Sequence, residues 1–317
     1  MGASRFAARP GTPTPRPLNR AVTGFTNSVR PGAAFGEGRS APAPLKQTAR
    51  LRPKRNHMKT LASLLASALL LAGCSGGVNL FSLDQDRQLG AQVNQEILNN
   101  PQQYPVLPER GNEEVYGYVR GITDRILNSG NVEHRDEFAW EVRLIDDDET
   151  LNAFATPGGY IYVYTGLIKF LDTEDELAGV MGHEIAHADQ RHSTKALTKQ
   201  YGIQALAALA GGSQAGALAG NVLGSLLQLK FGRGAETEAD TYSVIYLCPT
   251  GYEADGAAGF FRKMEAGGGH RPPEFLSTHP NPGNRVANIE QQAGQRDCSA
   301  GGRTGSGEEY QRIKRLL

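Results

Sequence analysis

The chain has 317 residues, room for one sizeable domain or two small ones, and its 33 basic and 33 acidic residues cancel. The balance is uneven along the chain: residues 1–57 carry eleven Lys or Arg and one acid, Glu37, whereas 21 basic and 32 acidic residues follow Cys74. Such an acidic body argues against a basic nucleic-acid surface, so no nucleic-acid partner is expected.

Residues 1–57 are rich in Pro, Arg, Gly, Ala and Ser and show no helical or alternating period. They read as a disordered extension or, better in view of the signal-like segment next to them, as upstream sequence included through a wrong start. Met58-Lys59 opens that segment with positive charge, and the apolar run Leu61 to Leu71 leads to Leu71-Ala72-Gly73-Cys74. A charged start, a short apolar stretch and small residues at a cut form a secretory signal. The run is too short to span a bilayer comfortably. The tetrapeptide resembles the bacterial lipobox, which implies acylation of Cys74, a lipid anchor in a membrane and, with Ser75 after the cysteine, the periplasmic face of the outer membrane. Disulfides persist there, so Cys248 and Cys298 form a plausible pair; two buried thiols are the alternative. The expected layout is an extension over 1–57, a signal over 58–74, a tether over 75–83, a catalytic domain over 84–298 and a tail over 299–317.

Apolar residues recur at helical spacing over 84–98 and 113–127. Alternation over 138–145 predicts a strand, 153–155 a short extended piece, and the β-branched and aromatic run 160–164 a second strand after the break at Pro157-Gly158-Gly159. A helical stretch comes next, over 166–171. Thr173 and Glu176 have capping-box spacing ahead of a helix through Leu177, Val180, Met181 and Ile185. Residues 200–229 lack charge, and glycines and polar residues interrupt them. They read as two short helices around a glycine hinge more than as a membrane span. Helices are expected over 236–247, 254–265 and 286–292, with a loose stretch over 299–307. The fold class is mainly α (α+β), with a small antiparallel or mixed sheet beside one helix.

That helix carries His183-Glu184-Ile185-Ala186-His187. Residues four apart share a helix face, so the two imidazoles can hold one Zn²⁺, and Glu184 falls beside them as a general base for water. A third ligand is needed. Glu236, in Glu236-Thr237-Glu238-Ala239-Asp240, is the candidate; Asp240, one turn on, can accept an N–H from a ligating histidine, and Glu238 should be solvated. His192 reads as a structural residue at the far end of the motif helix, and His134 and His270 as surface residues.

These motifs, with Asn152-Ala153-Phe154-Ala155-x-Pro157-Gly158-Gly159 upstream and Ser277-Thr278-His279-Pro280 and Arg285 downstream, resemble the minigluzincin family of membrane-associated metallopeptidases. This family includes HtpX-type and CAAX prenyl-protein proteases; the nearer likeness is to its periplasmic BepA- and LoiP-type lipoprotein proteases. The resemblance covers roughly residues 84–292. It implies one Zn²⁺ per chain and cleavage of unfolded or misassembled envelope proteins, with the outer-membrane assembly machinery as a possible partner. Neither the helical repeats of the BepA branch nor the spanning helices of the prenyl proteases are expected here. His279 is the candidate for holding a developing oxyanion, with Arg285 supporting it or touching substrate; in the family the matching histidine can instead block the metal. Asn152, Ala153, Phe154 and Ala155 are the candidate edge for pairing with a substrate backbone, or a plain buried strand. A chaperone or assembly factor with a largely latent site is the competing reading.

Overall fold

The computed structural model describes residues 78–204, 206, 222, 224–266, 274–280, 283–296, 298 and 307–317. Cys74, the signal segment, His270 and most of the uncharged stretch 200–229 lie outside the described residues, and so do the expectations attached to them. All the described residues belong to one compact unit, Ala72–Leu317.

Helix α1 (Leu83–Asn99) starts at Ser82, whose hydroxyl accepts from the Gln85 N–H while the Gln85 side chain accepts from the Ser82 N–H. This reciprocal cap is one that the apolar spacing alone does not reveal. Leu89, Val93 and Ile97, spaced by four, are fully buried on one face. Helix α2 (Glu113–Leu127) has the ends expected and buries Val115, Val119, Ile122 and Ile126.

Three strands come next: β1 (Glu141–Ile145), β2 (Ala153–Thr156) and β3 (Tyr160–Tyr164). They form one mixed sheet in the order β1-β3-β2, with β1 parallel and β2 antiparallel to β3. The β2–β3 turn is possible because Gly158 and Gly159 take φ of 76° and 86°, the left-handed region that glycine tolerates. The strand expected over 138–145 is shorter. Trp140 has φ 46°, which breaks the extended run, and its indole N–H bonds back to the carbonyls of His134 and Arg135. The alternation of Phe138 and Trp140 therefore reflects packing beside the sheet.

Helix α3 (Thr165–Phe170) leads to α4 (Glu174–Asp189), the centre of the molecule, buried at nearly every position. The Thr173 hydroxyl caps it by accepting from the Glu176 N–H. The capping box is incomplete: Glu176 reaches one residue too far, to the N–H of Asp172. Arg191, in the left-handed conformation, turns the chain into α5 (His192–Tyr201). Helix α4 packs against β2, α2, α6 (Arg233–Leu247) and α7 (Gly256–Ala266). Helices α8 (Glu274–Thr278) and α9 (Arg285–Gln295) complete this side, and α10 (Gly307–Lys314) closes the chain. Helix α10 falls where only a tail was expected; Tyr310 and Ile313 are buried, and the Tyr310 hydroxyl donates to the Ile168 carbonyl. Cys248 and Cys298 lie at disulfide distance, 2.13 Å between sulfurs.

The architecture is mainly helical with a small mixed sheet. Among the described residues no helix is long and apolar enough to cross a membrane.

Candidate metal centre and active site

His183 and His187 face the same way from adjacent turns of α4. Glu236 meets them from the first turn of α6, which begins at Arg233 and so three residues earlier than its sequence suggests. His279 arrives from the end of α8, held by its N–H to the Phe275 carbonyl and by ring stacking on Phe275 at 4.3 Å. One ligand atom from each of these four residues lies within 4.8 Å of the others, and all four are buried.

Hydrogen bonds behind the site fix which nitrogen of each imidazole faces inward. The Asp240 carboxylate lies 2.9 Å from His183 Nδ1, so that nitrogen donates to it and Nε2 is the atom turned toward the centre. His187 Nδ1 lies 2.9 Å from His192 Nδ1, and His192 Nε2 is 3.3 Å from Glu238. The two inward nitrogens, His183 Nε2 and His187 Nε2, are 3.0 Å apart, each 3.5 Å from a Glu236 oxygen. Two imidazole nitrogens and a carboxylate turned to one point fit a divalent cation, and nitrogen and oxygen donors suit zinc.

Charge agrees with that fit. Glu184, Glu236 and Asp240 are buried carboxylates, set against the buried guanidinium of Arg285. Burial pulls Glu236 upward, but hydrogen bonds from His183, His187 and His279 hold it well below the usual carboxylate range. Burial and Arg285 oppose a charge on His183, yet Asp240 and Glu236 outweigh them and lift it to about 9. Burial and the nearby His183 push His187 well below its ordinary value. The pocket thus draws positive charge to the space between these side chains.

Glu184 sits beside this group, its pKa raised by burial. Its Oε2 accepts the Ala155 N–H at 3.0 Å. Its Oε1 and His279 Nε2 both lack a hydrogen-bond partner and face each other at 3.6 Å. A water bridging the two would satisfy both.

Ala155 turns its N–H away from β3, so by the alternation of a strand Ala153 does the same. β2 is an edge strand of the sheet. Asn152 is 5% exposed, just ahead of it. A cavity of about 340 Å³ opens along this edge and reaches His279 and Phe231. Phe231 stacks on the His187 ring at 4.0 Å and donates its N–H to the Thr278 carbonyl.

Four sequence expectations need correction. Arg285 is wholly buried behind the site, so it cannot touch substrate; it bonds twice to Asp240, lies 3.0 Å from Glu236 and stacks under Phe261. It thus braces the carboxylates, and those contacts take the place of the support for His279 that was expected. His192 does not end the motif helix: α4 stops at Asp189, and His192 opens α5 with its ring against His187. Glu238 is the partner of His192 instead of being fully solvated. His134 is largely covered, because its ring and N–H bond to Asp189. Sequence reasoning also misses Phe231, which carries no motif.

The sequence model of Peptidase family M48 matches residues 114–293, more than half of the chain. Curated relatives include a beta-barrel assembly-enhancing protease of Yersinia pestis, 30% identical over 70% of this chain and 46% of its own length. The Escherichia coli (strain K12) protein of the same name is 29% identical, with the same coverages. A mitochondrial metalloendopeptidase OMA1 of Schizosaccharomyces pombe is 32% identical over 55% of this chain and 52% of its own. The chain therefore spans about half the length of these relatives.

Proposed function

Because this chain belongs to peptidase family M48, we propose that it is a zinc-dependent endopeptidase that cuts unfolded or misassembled proteins of the cell envelope. The observation that carries this is the pair of inward nitrogens on His183 and His187, facing Glu236 with Glu184 alongside. In this reading His183, His187 and Glu236 hold the ion, and Asp240 and His192 keep the two imidazoles in the required tautomer. A bound divalent zinc would supply Lewis acidity for water and the scissile carbonyl.

The chain's own residues do the rest. The peptide lies extended along β2, pairing with the outward N–H and carbonyl of Ala153 and the carbonyl of Ala155, whose N–H stays with Glu184, while Asn152 and Phe154 flank it. Glu184 takes the proton from water and returns it to the leaving amine; burial raises its pKa toward that of a working base. His279, whose Nε2 lies opposite Glu184, faces the oxyanion that develops as water adds to the carbonyl. In Glu184→Gln, cleavage of casein is expected to fall roughly 10²–10⁴-fold with zinc content unchanged. Equal activity in the two proteins would remove Glu184 from the mechanism.

The same reading tethers the enzyme to the periplasmic face of the outer membrane through a lipid on Cys74. Its support is the string Leu71-Ala72-Gly73-Cys74 and the assembly-related names of two relatives. Cys74→Ala should move the protein from the membrane fraction to the soluble one; unchanged fractionation would rule the anchor out.

One observation favours a second reading, an assembly factor with a largely latent site. His279 Nδ1 lies 3.1 Å from Glu236 and 3.4 Å from His183, a fourth donor in the position that substrate needs. Envelope assembly that survives Glu184→Gln would favour this alternative.

A further inference from the structure

The cavity beside β2 is built for more than a backbone. Its lining includes Ala155 and His279, the rings of Tyr104, Phe154 and Tyr164, and the polar side chains of Asp147, Asn152 and Glu274. Phe154 is braced by stacking on Tyr162 at 4.7 Å. The lining carries two acidic groups, Asp147 and Glu274, and no Lys or Arg among the described residues. Asp147 is held in place: its Oδ1 accepts the Glu149 N–H at 3.0 Å and its Oδ2 the Thr150 hydroxyl at 2.6 Å. Asn152, which lines the cavity, is only 5% exposed, and its Oδ1 has no hydrogen-bond partner.

An unpaired buried carbonyl costs stability unless something donates to it. A ligand that does so here must also have a long apolar part to lie along the three rings, and its head meets two carboxylates. An aliphatic side chain would leave Asn152 unpaired. An acidic one would meet like charge. A cationic head on an aliphatic stem satisfies every wall, and the aromatic faces add attraction for the cation. A peptide paired to β2 turns every second side chain to the face that Phe154 occupies, which is the cavity side.

We infer that this cavity is a substrate subsite for a lysine or arginine side chain close to the scissile bond. The inference rests on the endopeptidase reading for its place in a reaction, but binding can be measured without turnover.

The test uses the full-length protein as Glu184→Gln and a set of labelled extended peptides that differ only in one central residue: Arg, Lys, Met or Glu. Fluorescence anisotropy should show Arg and Lys peptides binding roughly tenfold more tightly than Met, with Glu weakest, from two partly exposed charge pairs. Added salt should narrow the gap. In Asp147→Asn/Glu274→Gln the Arg-to-Met ratio should fall to about twofold or less, chiefly through KM when the same changes are made in the active enzyme. If Asp147→Asn disturbs folding, Glu274→Lys at its exposed position carries the test and should shift preference toward the Glu peptide. Equal affinity across the set, or a preference that survives both variants, overturns the subsite. An active enzyme that cuts all four peptides equally well overturns it while leaving the protease reading intact. A zinc-loaded enzyme that cuts none, while Glu184→Gln keeps the basic preference, overturns the protease reading and supports the subsite.

Discussion

His187 and His192 face each other through their Nδ1 atoms, and one proton serves both. If His187 offers its Nε2 lone pair to a metal, its Nδ1 must donate; His192 Nδ1 then accepts, and His192 Nε2–H points to Glu238. A carboxylate two residues past Glu236 thereby sets the tautomer of an imidazole on another helix. His192→Leu keeps bulk and removes the acceptor. Its zinc affinity, read by competition with a chelator, is expected to drop roughly 10–100-fold; Glu238→Gln should lose less. Unchanged affinity in both would reduce the pair to packing. The legibility of the site has the same geometric root. His183, Glu184, His187, Glu236 and Asp240 are readable because a regular helix converts spacing into direction. His192 is not, because its position depends on the left-handed Arg191, and such a bend has no periodic signature. The burial of Arg285 cannot be read either, since a charged residue is normally at the surface.

Helix α4 is fixed by close backbone contact as well as by side chains. A methyl group on Gly179 would fall on the backbone of Gly256 and Ala257 at the start of α7, and one on Gly256 would fall on the Asp175 carbonyl. Backbone cannot step aside as a flexible side chain can. Gly179→Ala should therefore cost about 1–3 kcal/mol or more, as other overpacked interiors do, despite the better helix propensity of alanine. A thermal melt at or above that of the parent would contradict this contact. Gly179 also bonds through its carbonyl to Ser243 of α6, so the same helix turn touches both neighbours. Among the elements, α2 and β3 keep their expected ends because their apolar patterns stop at the real boundaries. β1 does not, because Trp140 alternates correctly while standing outside the ladder. Helix α10 goes unread because eight residues with two buried side chains give little period to detect.

At the scale of the molecule, Cys248 at the end of α6 and Cys298 beyond α9 close a loop with a sequence separation of 50. Joined, they should stabilise the fold by about 4 kcal/mol through the restricted unfolded chain. Melts with and without reductant, and a non-reduced tryptic digest, read this directly. A digest showing two free thiols in protein taken from its native compartment would argue against the periplasm. The hydrogen bond from Ala155 to Glu184 has a consequence at the same scale. On the proposed reading docking and chemistry share one strand, so a substrate must yield several residues of its own pairing before it can be cut. A loop stretched tight between two intact elements has no slack to give, whereas a stalled or torn chain does. Such an enzyme would gauge mechanical looseness, and a folded protein would be spared because it cannot be pulled straight.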